Sequence, residues 1–332
     1  MRFRKESDRW TACASVLLKS TAFHRSIQEF STGNQIDDEG VLNLFTDHTL
    51  SCKKIDLLPI VSLPRTKYNR PYIPYLTEQN DTTNRDEADG ENENPFAKLN
   101  ISHQYPHIAL VQSSSSRIKI GLDLVVFSFG RNEFTSTAND FIQAFESSFT
   151  PYEWERIQYC CTFGPIQSRR KRDDESKLKE FFLRWSMKEA YTKALGLGMH
   201  IEFSSFETRL VGIDENNISN VSVWSTVINA INGKQLNSNV ENELRDRSYS
   251  VLGKVQSKLT STKSSGNDEW EFIFIPITTT DGARSSHDAC CCICRGPLLQ
   301  NGIELPNEFE SKVNTQVQIE NIDLIDLIKL HM

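Results

Sequence analysis

The hydrophobic and polar positions from Phe181 to His200 repeat with the period of an α-helix. The apolar stripe of this helix recurs at helical spacing and consists of Leu183, Met187, Ala190 and Ala194. Trp185, Glu189 and Lys193 fall four residues apart on a neighbouring face, so an acid and a base are stacked one turn from each other. Gly196 follows, where a left-handed cap residue ends a helix. The pattern therefore predicts a helix that carries two charged groups side by side.

The Glu189–Lys193 pair has two interpretations. A solvent-exposed pair on an amphipathic helix is ordinary and stabilises it by about 0.3–0.5 kcal/mol. The other interpretation depends on residues 120–124, where Asp123 interrupts an otherwise apolar predicted strand. A charge in that position needs a partner or a metal ion. This lone carboxylate favours a functional site over a surface pair.

The remaining periodicity predicts further elements. A helix is predicted over Phe3–Ser20, with a buried side formed by Trp10, Ala14, Leu17 and Leu18. A helix near 138–148 is followed by another that opens with Thr150, Pro151 and Glu153, which is a capping box with proline at the first helical position. Strands are predicted at Ile108–Val111, Phe203–Leu210, Val221–Ile228 and Trp270–Ile277.

Polar stretches divide the chain. Its 332 residues are enough for one or two cores, so a two-lobed protein is expected. The predicted N-terminal lobe is 1–117, the C-terminal lobe is 118–299, and an extension follows at 300–332. The acidic stretch 76–95 has almost nothing to bury and is predicted to be a disordered insertion. Surface insertions are predicted at 165–179 and 237–267.

Composition and charge narrow the function classes. Apolar residues make up 38% of the chain and charged residues 24%, as in a soluble globular protein. The net charge of −7 argues against general binding of nucleic acid or anionic membranes. No run is long and apolar enough to span a bilayer. The eight cysteines form no regular framework, which indicates reduced thiols and a cytoplasmic location.

The cysteine-rich run Ala289–Cys294 has a metal interpretation and a packing interpretation. It has no second ligand set of matching spacing elsewhere in the sequence. Thiols packed in a buried strand therefore explain it better than a metal site.

Two motifs resemble the signatures of a known enzyme family. They are Ile-Gly-Leu-Asp at 120–123 and, about sixty residues later, Trp-Ser-Met-Lys-Glu-Ala-Tyr-Thr-Lys at 185–193. In this order and spacing they resemble those of the 4′-phosphopantetheinyl transferases. The match is to the surfactin-synthetase-activating type, which includes the fungal and animal enzymes that activate aminoadipate-semialdehyde dehydrogenase. Shorter matches, at the first predicted helix, Leu63–Pro74, Asn100–Gln104 and 149–157, extend the resemblance over most of residues 3–295.

The resemblance implies a fold and a set of site residues. The fold is α+β, with two pseudo-symmetric α/β lobes and an active site at the interface between them. Asp123 and Glu189 would hold Mg²⁺, which prefers oxygen ligands. Glu189 would also take the proton of the acceptor serine, and Lys193 would neutralise the leaving phosphate. The side chains implied to bind the coenzyme are Lys19, Arg65, Arg70, Asn100, Ser102, His103 and Lys193.

Three departures from the family pattern are visible. Val125 stands where many relatives have a third acid, and Asn69 and Arg70 stand where the family has glycine and lysine. The sequence also begins almost at the first predicted helix, whereas relatives carry an earlier strand. Either that strand is absent or the recorded start is too late.

The implied reaction is the transfer of 4′-phosphopantetheine from coenzyme A to a carrier-domain serine, with release of adenosine 3′,5′-bisphosphate. Mg²⁺ is the implied cofactor and coenzyme A the co-substrate. The implied partner is an apo-carrier protein or domain, either an acyl or peptidyl carrier or aminoadipate reductase, the latter in lysine biosynthesis. A monomer is expected, with no nucleic-acid or membrane partner. The alternative is a catalytically inactive coenzyme A-binding or scaffold protein that retains the fold.

Overall fold

The structure, a computed structural model, describes residues 6–31, 63, 72–73, 97–113, 119–129, 137–160, 170–214, 222–235, 247–257, 268–281, 284–300 and 303–304. The α-helices in this part of the chain are α1 (Glu6–Ser31), α2 (Ala138–Gln143), α3 (Pro151–Gln158), α4 (Asp174–Ala194) and α5 (Val223–Gln235). The strands there are β1 (Tyr72–Ile73), β2 (Ala97–Gln104), β3 (His107–Ser113), β4 (Lys119–Val126), β5 (Phe206–Leu210), β6 (Tyr249–Ser257), β7 (Asp268–Asp281), β8 (Arg284–Gln300) and β9 (Ile303–Glu304). The predicted α+β class is confirmed.

The described strands form two sheets. The smaller sheet has the order β1-β2-β3, and the larger has the order β4-β8-β7-β6-β5, with β9 beside β8. All these pairings are antiparallel. α4 packs across β4 and β8, α1 packs on β3, and β2 lies against β4. The edge strand β4 is therefore enclosed between α4 and the smaller sheet. None of the described helices is long and apolar enough to cross a membrane.

α4 fills the centre of the larger core. Asp173 caps its first turn by accepting a hydrogen bond from the Ser176 backbone N–H at 2.9 Å. The predicted apolar stripe is confirmed, because Leu183, Met187, Ala190 and Ala194 are all buried. This stripe belongs to the same core cluster as Phe272 and Phe274 of β7 and as Cys290, Cys292 and Cys294 of β8. The prediction of a buried cysteine-rich strand is likewise confirmed, since Ala289–Cys294 lies within β8.

Gly121 lets β4 and α4 approach at backbone distance. A methyl group there would lie 2.0 Å from the carbonyl oxygen of Ala190 and 2.4 Å from the backbone nitrogen of Ala194. Both atoms belong to a helix backbone that cannot yield locally. The glycine of the first motif is therefore required by its packing against the second motif.

Buried ion pairs hold α4 to its neighbours. Lys188 Nζ lies 2.8 Å from Glu153 Oε2 and also donates to the carbonyl oxygens of Phe203 and Phe206. Arg184 pairs with Glu180 and with Asp214. Because each charge has a partner and hydrogen bonds, α3, α4 and the turn after β5 are joined without an uncompensated buried charge.

Several predicted elements are confirmed and others are corrected. The capping box at Thr150 and Glu153 is present, and the strands predicted at Ile108–Val111 and Trp270–Ile277 lie within β3 and β7. The strand predicted at Val221–Ile228 is wrong, because α5 begins at Val223. Alternation alone did not distinguish a short apolar strand from an amphipathic helix.

The two predicted surface insertions also need correction. The range 165–179 is helical from Asp174 onward, and Lys177 and Leu178 are buried. Within 237–267, the described strand β6 pairs with both β5 and β7. Polar composition suggested loops, yet one buried face was enough to bring each segment into the fold.

The first helix differs from its predicted form as well. α1 extends to Ser31 rather than ending at Ser20. Ala14 and Leu17 are buried as predicted, whereas Trp10 is 50% exposed. Large aromatic side chains remain partly exposed more often than aliphatic ones.

Candidate active site

Asp123 reaches the site because strand residues alternate between two faces. Ile120, Leu122 and Leu124 pack into a second apolar cluster, so Asp123 lies on the opposite face, toward α4. Its side chain is only 5% exposed. Burial raises the pKa of Asp123 to about 6, although the nearby Lys193 ammonium acts in the opposite direction. The lone carboxylate in this apolar strand therefore has a cationic partner, as expected for a buried charge.

α4 presents Glu189 and Lys193 to this carboxylate. Lys193 Nζ lies 2.8 Å from Asp123 Oδ1 and 3.1 Å from Glu189 Oε1. Burial disfavours the ammonium form, but the charges of Asp123 and Glu189 outweigh it and raise the pKa of Lys193. The pair is thus part of a three-residue charged cluster that joins both motifs, and the interpretation as a simple surface pair is wrong.

Trp185 orients the other oxygen of Glu189. Its indole Nε1–H donates to Glu189 Oε2 at 3.0 Å. The ring itself is held among aromatic neighbours, with Phe145 and Phe203 at centroid distances of 5.2 Å and 5.0 Å. Glu189 therefore has both oxygens engaged, one by the indole and one by Lys193.

Three side chains of β2 accept hydrogen bonds from the free edge of β4. The donor and acceptor pairs are Leu122 N to Asn100 Oδ1 at 3.0 Å, Leu124 N to Ser102 Oγ at 3.2 Å, and Val126 N to Gln104 Oε1 at 2.8 Å. We call this set the side-chain bridge. It connects the smaller sheet to the strand that carries Asp123.

A cleft of about 420 Å³ opens beside the charged cluster. Its walls are formed by Ile101, Ser102, His103, Gln104, Asp123, Leu124, Val125, Phe182, Trp185, Glu189 and Lys193. The cluster of Asp123, Glu189 and Lys193 is polar, whereas Phe182 and Trp185 make an apolar wall. The cleft can therefore hold a ligand that has both a charged group and an apolar part.

The structure brings together most of the predicted site residues that it describes. Asp123, Glu189 and Lys193 meet, and Ser102 and His103 line the same cleft. Asn100 is buried behind the cleft, where it accepts the Leu122 N–H. Lys19 lies on α1, outside the cleft lining, and Arg65 and Arg70 lie outside the described residues.

The oxygen atoms at the cluster suit a hard divalent cation. No group of three His, Cys, Asp or Glu side chains that could hold a metal is found within the described residues. Mg²⁺ nevertheless binds through one or two carboxylates and completes its shell with water and substrate phosphate oxygens. Asp123 and Glu189 offer such a pair, and Val125, buried in the cleft wall, adds no oxygen. The two carboxylates therefore fit the ion, with Lys193 now neutralising both.

Sequence reasoning assigned no role to three contributors to this site. Gln104 and Phe182 line the cleft, and Trp185 positions Glu189. The helical spacing had already placed Trp185 one turn before Glu189 on the same face, but it assigned the indole no role. Gln104 belongs to the alternation of polar residues along β2, but what such a face contacts depends on the packing of the two sheets.

Comparisons with known proteins fit this geometry. Residues 119–247 match the family model described as the 4′-phosphopantetheinyl transferase superfamily. The chain is 29% identical over 120 residues to the L-aminoadipate-semialdehyde dehydrogenase-phosphopantetheinyl transferase of Homo sapiens, covering 36% of this chain and 33% of that protein. It is 30% identical over 101 residues to the phosphopantetheinyl transferase of Thraustochytrium sp., covering 30% and 31% of the two chains.

The chain thus spans about a third of the length of the curated relatives that it matches. The matched family range contains both motifs, at 120–123 and 185–193. The resemblance predicted from those motifs, to phosphopantetheinyl transferases of the aminoadipate-semialdehyde dehydrogenase-activating type, is therefore confirmed.

Proposed function

We propose that the protein transfers 4′-phosphopantetheine from coenzyme A to a serine of a carrier protein or domain. The observation that carries this proposal is the meeting of Asp123, Glu189 and Lys193 at one end of a cleft, with distances of 2.8 Å and 3.1 Å from the shared ammonium. Two carboxylates and an ammonium are what phosphoryl transfer needs for positioning and charge neutralisation. The similarity of residues 119–247 to the transferase superfamily supports the same reaction.

Each residue of the cluster has a role in this mechanism. The Glu189 carboxylate accepts the proton of the attacking serine hydroxyl. The serine oxygen forms a bond to the phosphorus that bears pantetheine, and the pyrophosphate P–O bond breaks. Its electron pair leaves with adenosine 3′,5′-bisphosphate, whose new charge the Lys193 ammonium neutralises. Mg²⁺ held by Asp123 and Glu189 would supply further charge neutralisation at the pyrophosphate.

The cleft surroundings extend the proposal to the substrate. His103 is exposed on the cleft wall, where it can contact a coenzyme phosphate. Lys19, Arg65 and Arg70 are proposed as further phosphate ligands on the basis of the motifs alone. The cleft lies where the two sheets meet, which supports an active site between two lobes. We propose that the lobes are pseudo-symmetric.

The partner would be a carrier domain, and the name of the human relative favours aminoadipate reductase and hence lysine biosynthesis. The cytoplasmic location and the monomeric state stay predictions. Each is open to direct measurement, the second by light scattering of the purified chain.

The deciding experiment is transfer from coenzyme A labelled in its pantetheine arm. The purified chain is incubated with Mg²⁺ and several apo-carriers side by side, and label on each carrier is measured. Labelling that disappears when the carrier serine is replaced by alanine supports the proposal. Tight coenzyme A binding without transfer to any carrier would favour the inactive binding protein.

A further inference from the structure

The hydroxyl group of Ser102 is fully engaged by protein atoms. A serine hydroxyl has one proton to donate and two lone pairs. Ser102 Oγ donates to Asp123 Oδ1 at 3.0 Å and accepts from the Leu124 backbone N–H and from Lys193 Nζ, each at 3.2 Å. No proton is left on this hydroxyl to donate to a phosphate oxygen.

Asn100 is also committed to the protein rather than to the cleft. It is 7% exposed, is absent from the cleft lining, and accepts the backbone N–H of Leu122. The resemblance implies that Asn100 and Ser102 bind the coenzyme. Their contacts instead point toward β4.

The side-chain bridge contacts β4 at three successive positions and not at a single one. In an antiparallel edge strand, alternate N–H groups face away from the neighbouring strand. On β4 these N–H groups belong to Leu122, Leu124 and Val126. Each step of two residues along β4 is matched by a step of two residues along β2, from Asn100 to Ser102 to Gln104. Donors and acceptors advance together, so β2 runs alongside β4 in the same direction.

We propose that Asn100 and Ser102 are positioning residues for Asp123, and not ligands of the coenzyme. The bridge fixes the backbone on both sides of Asp123, through the N–H groups of Leu122 and Leu124. The Ser102 proton then fixes the carboxylate itself. This inference rests on the proposed function, because it treats Asp123 as a ligand of the cation.

Calorimetry without any carrier separates the two roles, since no turnover takes place. Coenzyme A is titrated first into the chain in a metal chelator, and Mg²⁺ is then titrated into a chelator-free coenzyme complex. Ser102→Ala should weaken Mg²⁺ binding by about ten-fold or more, as loss of a partner behind a metal ligand does. Its metal-free affinity for coenzyme A should not change.

Two matched variants complete the comparison. Ser102→Thr keeps the hydroxyl and should restore Mg²⁺ binding. Ser128→Ala removes the exposed serine just after β4 and should equal the unaltered chain in both titrations. Asn100→Ala should weaken Mg²⁺ binding while sparing metal-free coenzyme binding, and it carries the test if Ser102→Ala does not fold.

The contrary outcome is equally clear. If Ser102→Ala or Asn100→Ala lowered the metal-free affinity for coenzyme A and left Mg²⁺ binding unchanged, these residues would be coenzyme ligands and the inference would be overturned. Unchanged binding of both ligands in both variants would overturn it as well. Failure of the unaltered chain to bind coenzyme A would instead refute the proposed function, before any variant is compared.

Discussion

Lys193 joins the two motifs at the scale of single residues. Its ammonium group contacts one carboxylate from each, and the Asp123 side chain is only 5% exposed. An exposed pair four residues apart contributes about 0.3–0.5 kcal/mol. The chain contains such a pair on the same helix, Glu175 and Lys179, in which the Glu175 side chain is 77% exposed. The two pairs share spacing and chemistry and differ in burial and in the presence of Asp123.

Glu189→Gln tests the role of the carboxylate. Transfer should fall by about 10²–10⁴-fold, because the change removes the proton acceptor and a cation ligand together. The melting temperature should barely move, since the amide still accepts from Trp185. Single-turnover transfer to an apo-carrier and melting curves measure both. Glu175→Gln is the matched control and should leave transfer unchanged; equal transfer by the two variants would remove Glu189 from the mechanism.

Lys193→Ala tests the role of the lysine ammonium group separately from that of Glu189. Turnover should drop by about 10²–10³-fold, because the leaving phosphate is less neutralised. Mg²⁺ binding should persist, because Asp123 and Glu189 remain. Lys179→Ala serves as the control on the same helix. Loss of Mg²⁺ binding together with turnover would show that Lys193 holds the carboxylates in place rather than acting on the phosphate.

At the scale of elements, the site depends on how closely β4 approaches α4. Gly121 removes the Cβ that would separate them, and the side-chain bridge holds the opposite edge of β4. Asp123 is therefore set between a helix backbone on one side and three β2 side chains on the other. Small displacements of β4 would move the carboxylate away from Lys193.

Gly121→Ala should destabilise the fold by about 3 kcal/mol or more, the upper range for overpacking, because its Cβ would lie 2.0 Å from the Ala190 carbonyl oxygen. Denaturant titration measures the free energy of unfolding. Gly233→Ala is the matched control, since its Cβ would meet nothing within 4 Å. Because Gly233 lies within helix α5, its replacement by alanine should stabilise the fold by up to about 1 kcal/mol. If Gly121→Ala lowered the free energy of unfolding only slightly, α4 would be able to move away from β4 with little loss of stability, and the prediction would be wrong.

At the scale of the whole molecule, a buried charge network sets the position of α4. Asp214 lies in the turn after β5 and pairs with Arg184 of α4 and with Arg156 of α3. Burial acts to raise the pKa of Asp214, but Arg184, Arg156 and the Leu210 N–H outweigh it, so the pKa is lowered. The carboxylate therefore stabilises the fold above its unfolded pKa, about 3.9, and this stabilisation is lost as pH falls through the lower folded value.

Asp214→Asn should cost about 3–5 kcal/mol at neutral pH, because the buried Arg156 guanidinium loses its carboxylate partner and Arg184 keeps only Glu180 of its two. The difference from the unaltered chain should shrink as pH falls below the unfolded pKa of about 3.9, because the unfolded carboxylate takes up a proton before the native one does. The difference should keep shrinking until pH falls below the lower folded pKa. Denaturant titrations at pH 7 and at pH 3 measure it. Asp174→Asn, at an exposed position in the first turn of α4, should cost less than about 1 kcal/mol. A difference independent of pH would contradict the assigned linkage.

The sequence by itself determined the local features of this protein. The apolar stripe of α4, the capping box at Thr150 and the anomalous Asp123 could all be recognised, because helix period, capping and strand alternation depend on neighbours along the chain. The two motifs also pointed to the residues that meet in the cleft.

Tertiary structure decided the rest. The first turns of α4, within 174–179, and strand β6 were missed because burial of one face outweighed their polar composition. The contacts of Asn100 and Ser102 with β4 were missed for a related reason. A polar side chain on a strand can serve a ligand or a neighbouring backbone equally well, and only the packing of the two sheets selects between them. The same packing turns Glu189 and Lys193 from an ordinary helical pair into a charged cluster with Asp123.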